Sequence, residues 1–150
     1  MKVCIVGDRS RESAQDSVLV NLIIDGVNLK YPKLRIITKG CDRGVGKFIK
    51  NRLTNPETRR PKEIDWTEVS LQHHQVDEDL PKMEYSLDYD ALNSVLVDLG
   101  DEFHILSEER PRGVTMNLLR RVMQSNRPYS LYKPRDVVYK PADFPKEKVE

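Results

Sequence analysis

Leu34 to Arg52, LRIITKGCDRGVGKFIKNR, reads as a buried strand, a glycine-rich turn and a basic helix, in that order. Leu34, Ile36 and Ile37 form a short apolar run of strand type, and Thr38-Lys39-Gly40 ends it. Asp42, Arg43, Gly44 and Gly46 then open a helix carrying Lys47, Phe48, Ile49, Lys50 and Arg52. The first amides of a helix lack intrahelical acceptors, and with positive charge nearby they favour a phosphate or carboxylate. Glycine lets the backbone approach such an anion closely.

The same strand–turn–helix pattern recurs outward from this stretch. Val3-Cys4-Ile5-Val6 is an apolar run broken by Gly7-Asp8-Arg9-Ser10, as in a βα unit. Ser13 to Val27 sets Val18, Leu19, Leu22, Ile23 and Val27 on one helix face, with Ser13 or Asp16 as cap. Gly26, Asn28 and Pro32 mark its end. Thr54 to Glu63 has no apolar residue to bury and reads as an exposed loop. Ile64 to Leu71 alternates as a third strand, with Ile64, Trp66 and Glu68 on one side and Thr67, Val69 and Leu71 on the other. His73 to Ser86 is acidic and polar, and reads as loop.

Asp90 to Leu99 reads as a helix with Ala91, Leu92, Val95, Leu96 and Leu99 inward, stopped by Gly100. Phe103 to Leu106 is a fourth strand and Ser107 to Gly113 a polar turn. Val114, Leu118, Leu119, Val122 and Met123 lie at helical spacing, and Tyr129 to Tyr132 is a fifth strand. Lys133 to Glu150, rich in proline and charge, is a tail or an arm laid over the domain. The alternation predicts an α/β, Rossmann-like doubly wound sheet, mostly parallel, of about five strands with helices on both faces. Such sheets bind ligands beyond the carboxyl ends of their strands. The turns Gly7 to Arg11, Thr38 to Gly46 and Ser107 to Thr115 should therefore meet in space.

A chain of 150 residues suits one domain. Its formal net charge of +1 rules out a global basic field for nucleic acid, though not a local patch. Cys4 and Cys41 lack metal spacing, which suggests a reducing compartment rather than a disulfide scaffold. No signal-like start and no membrane-length apolar run is visible, so a cytoplasmic protein is expected.

Four segments, in this order and spacing, resemble the SLOG superfamily. That group includes the Lonely Guy nucleotide phosphoribohydrolases and the Rossmann-like domain of the DNA-processing protein A family. VGDRS at Val6 to Ser10 looks like the family's G-S-R turn. TKGCDRGVG at Thr38 to Gly46 is similar to its G-G-A-x-G-x-D segment. LNSVLVDLGDEFHIL at Leu92 to Leu106 resembles R-N-x-x-I-V-x-x-x-D, with Asn93 and Asp101 at the polar positions. PRGVTMNLLRRVMQSNRPY at Pro111 to Tyr129 is similar to the G-G-x-G-T helix opening. Lys39, Gly46 and Leu92 depart from the pattern, and no glutamate follows Thr115 where the hydrolases carry a catalytic one.

The resemblance implies affinity for a nucleotide or NAD-derived small molecule, with phosphates at the Gly40 turn, and homodimers that complete the pocket. The missing glutamate favours binding, as sensor or sequestering protein, over turnover. The ligand-binding set is then Gly7, Asp8, Arg9, Ser10, Lys39, Gly40, Asp42, Arg43, Gly44, Asn93, Arg112, Gly113 and Thr115. Each has a plainer reading: a tight strand–helix turn at Gly40 to Gly46, turn chemistry at Asp8 to Ser10, and helix capping by Thr115 or Asn117. Asn93, polar on an apolar helix, needs partners if buried and either pins loops or touches ligand. Asp101 reads as a turn residue and His104 as packing. Cys41 is either a reactive thiol or a small residue filling its turn.

His73 and His74 near Asp77, Glu78 and Asp79 fit a solvent loop better than a metal site, and no cofactor is assigned. Two alternatives remain. One is an enzyme cleaving a nucleotide N-glycosidic bond, with its acid from Asp8, Asp42 or the 77–79 run. The other is a single-stranded nucleic-acid module using Arg43, Lys47, Lys50, Arg52, Arg59, Arg60 and Lys62, which the near-neutral charge disfavours.

Overall fold

The computed structural model describes residues 1–39, 43–54, 64–69 and 89–134. Expectations resting on Gly40, Cys41 and Asp42, on the 55–63 loop, on 70–88 with His73 and His74, and on the tail from 135 lie outside them. In chain order the elements are β1 (Lys2–Gly7), α1 (Ala14–Lys30), β2 (Arg35–Lys39), α2 (Gly44–Thr54) and β3 (Asp65–Val69), then α3 (Tyr89–Leu99), β4 (Glu102–Leu106), α4 (Gly113–Gln124) and β5 (Tyr129–Tyr132). The five strands form one sheet in the order β3-β2-β1-β4-β5, every neighbouring pair parallel. The fold is the Rossmann-like doubly wound sheet that the alternation predicts.

Side-chain alternation along the strands sorts the core into two layers. Val3 and Ile5 of β1, Ile36 of β2 and Trp66 of β3 pack with Leu19, Val20, Ile23 and Ile24 of α1 and with Ile49 of α2. Cys4 and Val6, Ile37, Phe103 and Ile105 turn to the opposite layer, with Leu92 and Leu96 of α3 and Leu118 and Val122 of α4. Each fully buried leucine or isoleucine contributes about 1.5–3 kcal/mol. Exposed ion pairs contribute at most about 1 kcal/mol each, so these layers hold the helices on the sheet. Burial pushes the Cys4 thiol up to about 12, so it packs as a small apolar side chain rather than reacting.

α1 starts in a capping box: the Asp16 amide donates to the Ser13 hydroxyl oxygen, and the Asp16 carboxylate accepts from the Ser13 amide. It runs to Lys30, past the expected stop at Val27: Gly26 lies inside the helix, and the chain leaves it at Tyr31, whose extended backbone suits the residue before Pro32. β3 spans Asp65–Val69 within the described part of the expected Ile64–Leu71 run. Three assignments to apolar helix faces are corrected. Val18 on α1 is exposed, and the apolar residues buried there are Leu19, Val20, Ile23, Ile24 and Val27. Ala91 is exposed, and the buried positions beside it on α3 are Leu92, Asn93 and Leu96. Met123 on α4 is also exposed, beyond the stripe formed by Leu118, Leu119 and Val122.

Candidate functional site

β1 is flanked by β2 on one side and by β4 on the other, so the connections leave in opposite directions at the β1–β4 seam. Beyond the carboxyl ends of these strands lies the crevice where open α/β sheets take ligands. The three polar turns expected to gather there do so over their described residues. Gly7 admits α2 and β4 together: an added Cβ would lie 2.5 Å from Val45 Cγ2 and 2.7 Å from the Leu106 carbonyl oxygen. Gly44 opens α2 with φ +65° and presses against the first turn; its added Cβ would lie 2.7 Å from the Arg9 carbonyl oxygen and 2.8 Å from that of Asp8. Arg43, beside it, donates to both oxygens of Glu12, at 3.3 and 2.8 Å. That guanidinium hydrogen bond holds the exposed Glu12 carboxyl below the usual range.

The β4–α4 turn closes the other side. The Glu108 amide donates to Asp8 Oδ2 at 2.8 Å, and the Thr115 hydroxyl donates to Asp8 Oδ1. Ser10 reaches across the same gap to the Glu108 carboxylate. Thr115 therefore spends its hydroxyl on Asp8 and not on the amides of its own helix. Gly113 opens α4 with φ +60°, and a side chain there would meet none of the described residues within 4 Å. Arg112, the N-cap residue, provides no side-chain cap, and Arg110 and Arg112 are exposed at the rim. Asn93 is buried, donating at 3.0 Å to the Val114 carbonyl and at 3.0 Å to Asn117 Oδ1. It pins α3 to the first turn of α4. Lys39 ends β2, half-buried at the same edge.

Sequence reasoning missed Arg11. This side chain is 2% exposed. Its Nε donates to Asp16 at 2.9 Å, and its Nη1 donates to the carbonyls of Ser107 at 2.6 Å and Tyr132 at 2.8 Å. One guanidinium thus joins the start of α1 to the carboxyl ends of β4 and β5. Its Nη2, like Asn93 Oδ1, is buried without a hydrogen-bond partner among the described residues. Such atoms are few in native proteins and each wants a cause, a bound water or ligand among them.

A second polar cluster lies on the α1 side of β4. His104, 7% exposed, sits between Tyr132 and Glu102. With Glu102 ionised, the network assigns the ring proton to Nε2, which donates to Glu102 at 2.7 Å, while the Tyr132 hydroxyl donates to Nδ1 at 2.8 Å. The Tyr31 hydroxyl also donates to Glu102, and Lys30 Nζ stands 3.7 Å away. The hydrogen bond from His104 is the main cause that holds the Glu102 carboxyl down at about 2, against an ordinary 4.5. His104 is therefore more than packing. A carboxyl depressed by folding stabilises above its unfolded value and loses that contribution as pH falls toward the folded one. Urea unfolding followed from about pH 5 to about pH 2 should show stability falling through this window. Glu102→Gln should flatten that fall; an identical acid limb in the variant would show that Glu102 does not cause it.

The basic residues of α2 and its turn are partly committed elsewhere. Arg52 donates to Asn21 and Asp25 of α1, and Arg43 is engaged with Glu12. Both contacts weaken the nucleic-acid reading; Arg59, Arg60 and Lys62 lie outside the described residues. Among the described residues no cluster of three or more His, Cys, Asp or Glu is arranged to hold a metal, and no helix is long and apolar enough to cross a membrane. Comparison of the chain with family models, curated proteins and solved structures returns no match.

Proposed function

We propose that the protein binds a nucleotide or NAD-derived small molecule in the crevice beyond β1 and β4, as a sensor or sequestering protein of SLOG type. The observation that carries this reading is the meeting of the Gly7–Arg11, Arg43–Gly44 and Ser107–Thr115 segments at the switch point of the sheet. Two helix starts face that edge, α2 at Gly44 and α4 at Gly113, and each supplies amides suited to an anion. The phosphates belong on the α2 side, at its start by Gly44. Mass spectrometry of small molecules released by heating the purified protein should find a nucleotide. Added AMP or NAD at about 100-fold over Kd should raise the melting temperature by roughly 5–10 °C. A protein that releases no nucleotide, and that neither AMP nor NAD stabilises, would end this proposal.

A second reading, cleavage of an N-glycosidic bond, draws on one observation: Asp8 brings a carboxylate into the same crevice. Free base formed from NAD or AMP by the wild-type protein, and lost in Asp8→Asn, would mark an enzyme.

A further inference from the structure

We propose that Asp8 is a built-in counter-ion for the start of α4, so that the bound nucleotide turns its phosphate away from the β4–α4 turn and presents its sugar hydroxyls to this carboxylate. The inference rests on the nucleotide reading and adds the orientation of the ligand and the residue that dictates it.

Three observations converge on Asp8. α4 begins without help from its own N-cap residue, since Arg112 has extended backbone geometry and makes no side-chain cap hydrogen bond. A helix start left so carries partial positive charge and unpaired amides. The group that arrives there comes from the far end of β1. Asp8 takes the Thr115 hydroxyl, in the first turn of α4, on Oδ1 and the Glu108 amide on Oδ2. Those two donors, beside a helix start, are what a phosphate oxygen would otherwise seek. Finally, Asp8 is only half-buried, and among the described residues a Cβ added at Gly113 would have no neighbour within 4 Å.

The chemistry follows from sign and valence. A phosphate brought to the same donors would face the Asp8 carboxylate at short range, and like charges at that distance repel strongly. An ionised carboxylate only accepts hydrogen bonds, and its two oxygens offer about four lone-pair sites, of which Thr115 and Glu108 use two. What it welcomes from a ligand is a donor, and the donors of a nucleotide next to its phosphate are the ribose hydroxyls. Sugar toward Asp8 leaves the phosphate to the Gly44 side of the crevice.

The test compares wild type with Asp8→Ser, using inorganic phosphate and adenosine as separate calorimetric probes and circular dichroism to confirm folding. Removing the carboxylate frees Thr115, the Glu108 amide and the helix start together. Phosphate affinity should then rise about tenfold or more in Asp8→Ser, and adding Thr115→Val should cancel the gain. Adenosine affinity should fall by about tenfold in the same variant. Equal phosphate affinity in wild type and folded Asp8→Ser would overturn the counter-ion role, and unchanged adenosine affinity would overturn the sugar assignment. Should Asp8→Ser fail to fold, Asp8→Asn, which keeps the shape and removes the charge, answers the same question. If wild type binds neither adenosine nor AMP, the nucleotide reading falls and with it the orientation. The phosphate comparison still decides the role of Asp8.

Discussion

Arg11→Met should lower the unfolding free energy by about 3–5 kcal/mol, the cost of stripping one partner from a buried ion pair. The substitution keeps much of the apolar stem but leaves Asp16 buried without its cation. It also leaves the Ser107 carbonyl without the Nη1 donor, whereas the Tyr132 carbonyl keeps the Ser107 amide at 2.9 Å. Arg11→Lys should fall between, because an ammonium cannot fork to Asp16 and two carbonyls at once. Combining Arg11→Met with Asp16→Asn should recover part of the loss, since the stranded charge is then gone. Urea titration followed by circular dichroism measures all of these. An Arg11→Met protein within about 0.5 kcal/mol of wild type would mean that the guanidinium does not tie α1 to β4 and β5.

Gly44→Ala should cost about 2–5 kcal/mol, for two reasons that add. A left-handed φ costs a residue with a Cβ about 1–2 kcal/mol, and overpacking adds about 1–3 kcal/mol. The atoms that the new methyl would meet, the Arg9 and Asp8 carbonyl oxygens and Arg9 Cα, are backbone and have little freedom to retreat. Gly113→Ala is the control. It has the same sign of φ, at +60°, but no neighbour within 4 Å among the described residues, so only the conformational cost of about 1–2 kcal/mol applies. The difference between the two variants therefore isolates the close approach of α2 to the first turn. Equal losses would show that α2 has room to shift. A ligand seated between these elements should lose affinity in Gly44→Ala beyond what the loss of stability explains.

The sheet was legible because β1, β2 and β4 are compact apolar runs ended by glycine or polar residues, β3 alternates, and each described helix carries its own stripe. Trp66 and Val69 fall on opposite faces as their alternation demands. The layer order follows from no local signal; it emerges when β4 joins the free side of β1. Arg11 was illegible for a related reason. In DRSRE it is one of two arginines in a polar turn, and what buries it are carbonyls 96 and 121 residues further along the chain. The tie from Glu102 to His104 was within reach, because residues two apart on a strand share a face. The tie from His104 to Tyr132 needs the β4–β5 register, in which Leu106 stands opposite Tyr132. At the crevice the sequence named Asp8 and Thr115 separately. Only the folded chain joins them, with the Thr115 hydroxyl donating to the Asp8 carboxylate.

The neighbours of β1 also bear on the order of assembly. β1, α1 and β2 are contiguous, and their pairing closes a short loop. The β1–β4 seam must bring together strands about 100 residues apart, at a greater cost in chain entropy and time. We expect the seam to form late during folding and to open early when the molecule breathes, which amide exchange at Asp8 and Asp101, whose amides donate across it to the Leu106 and Lys2 carbonyls, would report. A molecule held across that seam would act as a clasp between the earlier and later parts of the chain, slowing their separation as well as occupying a site.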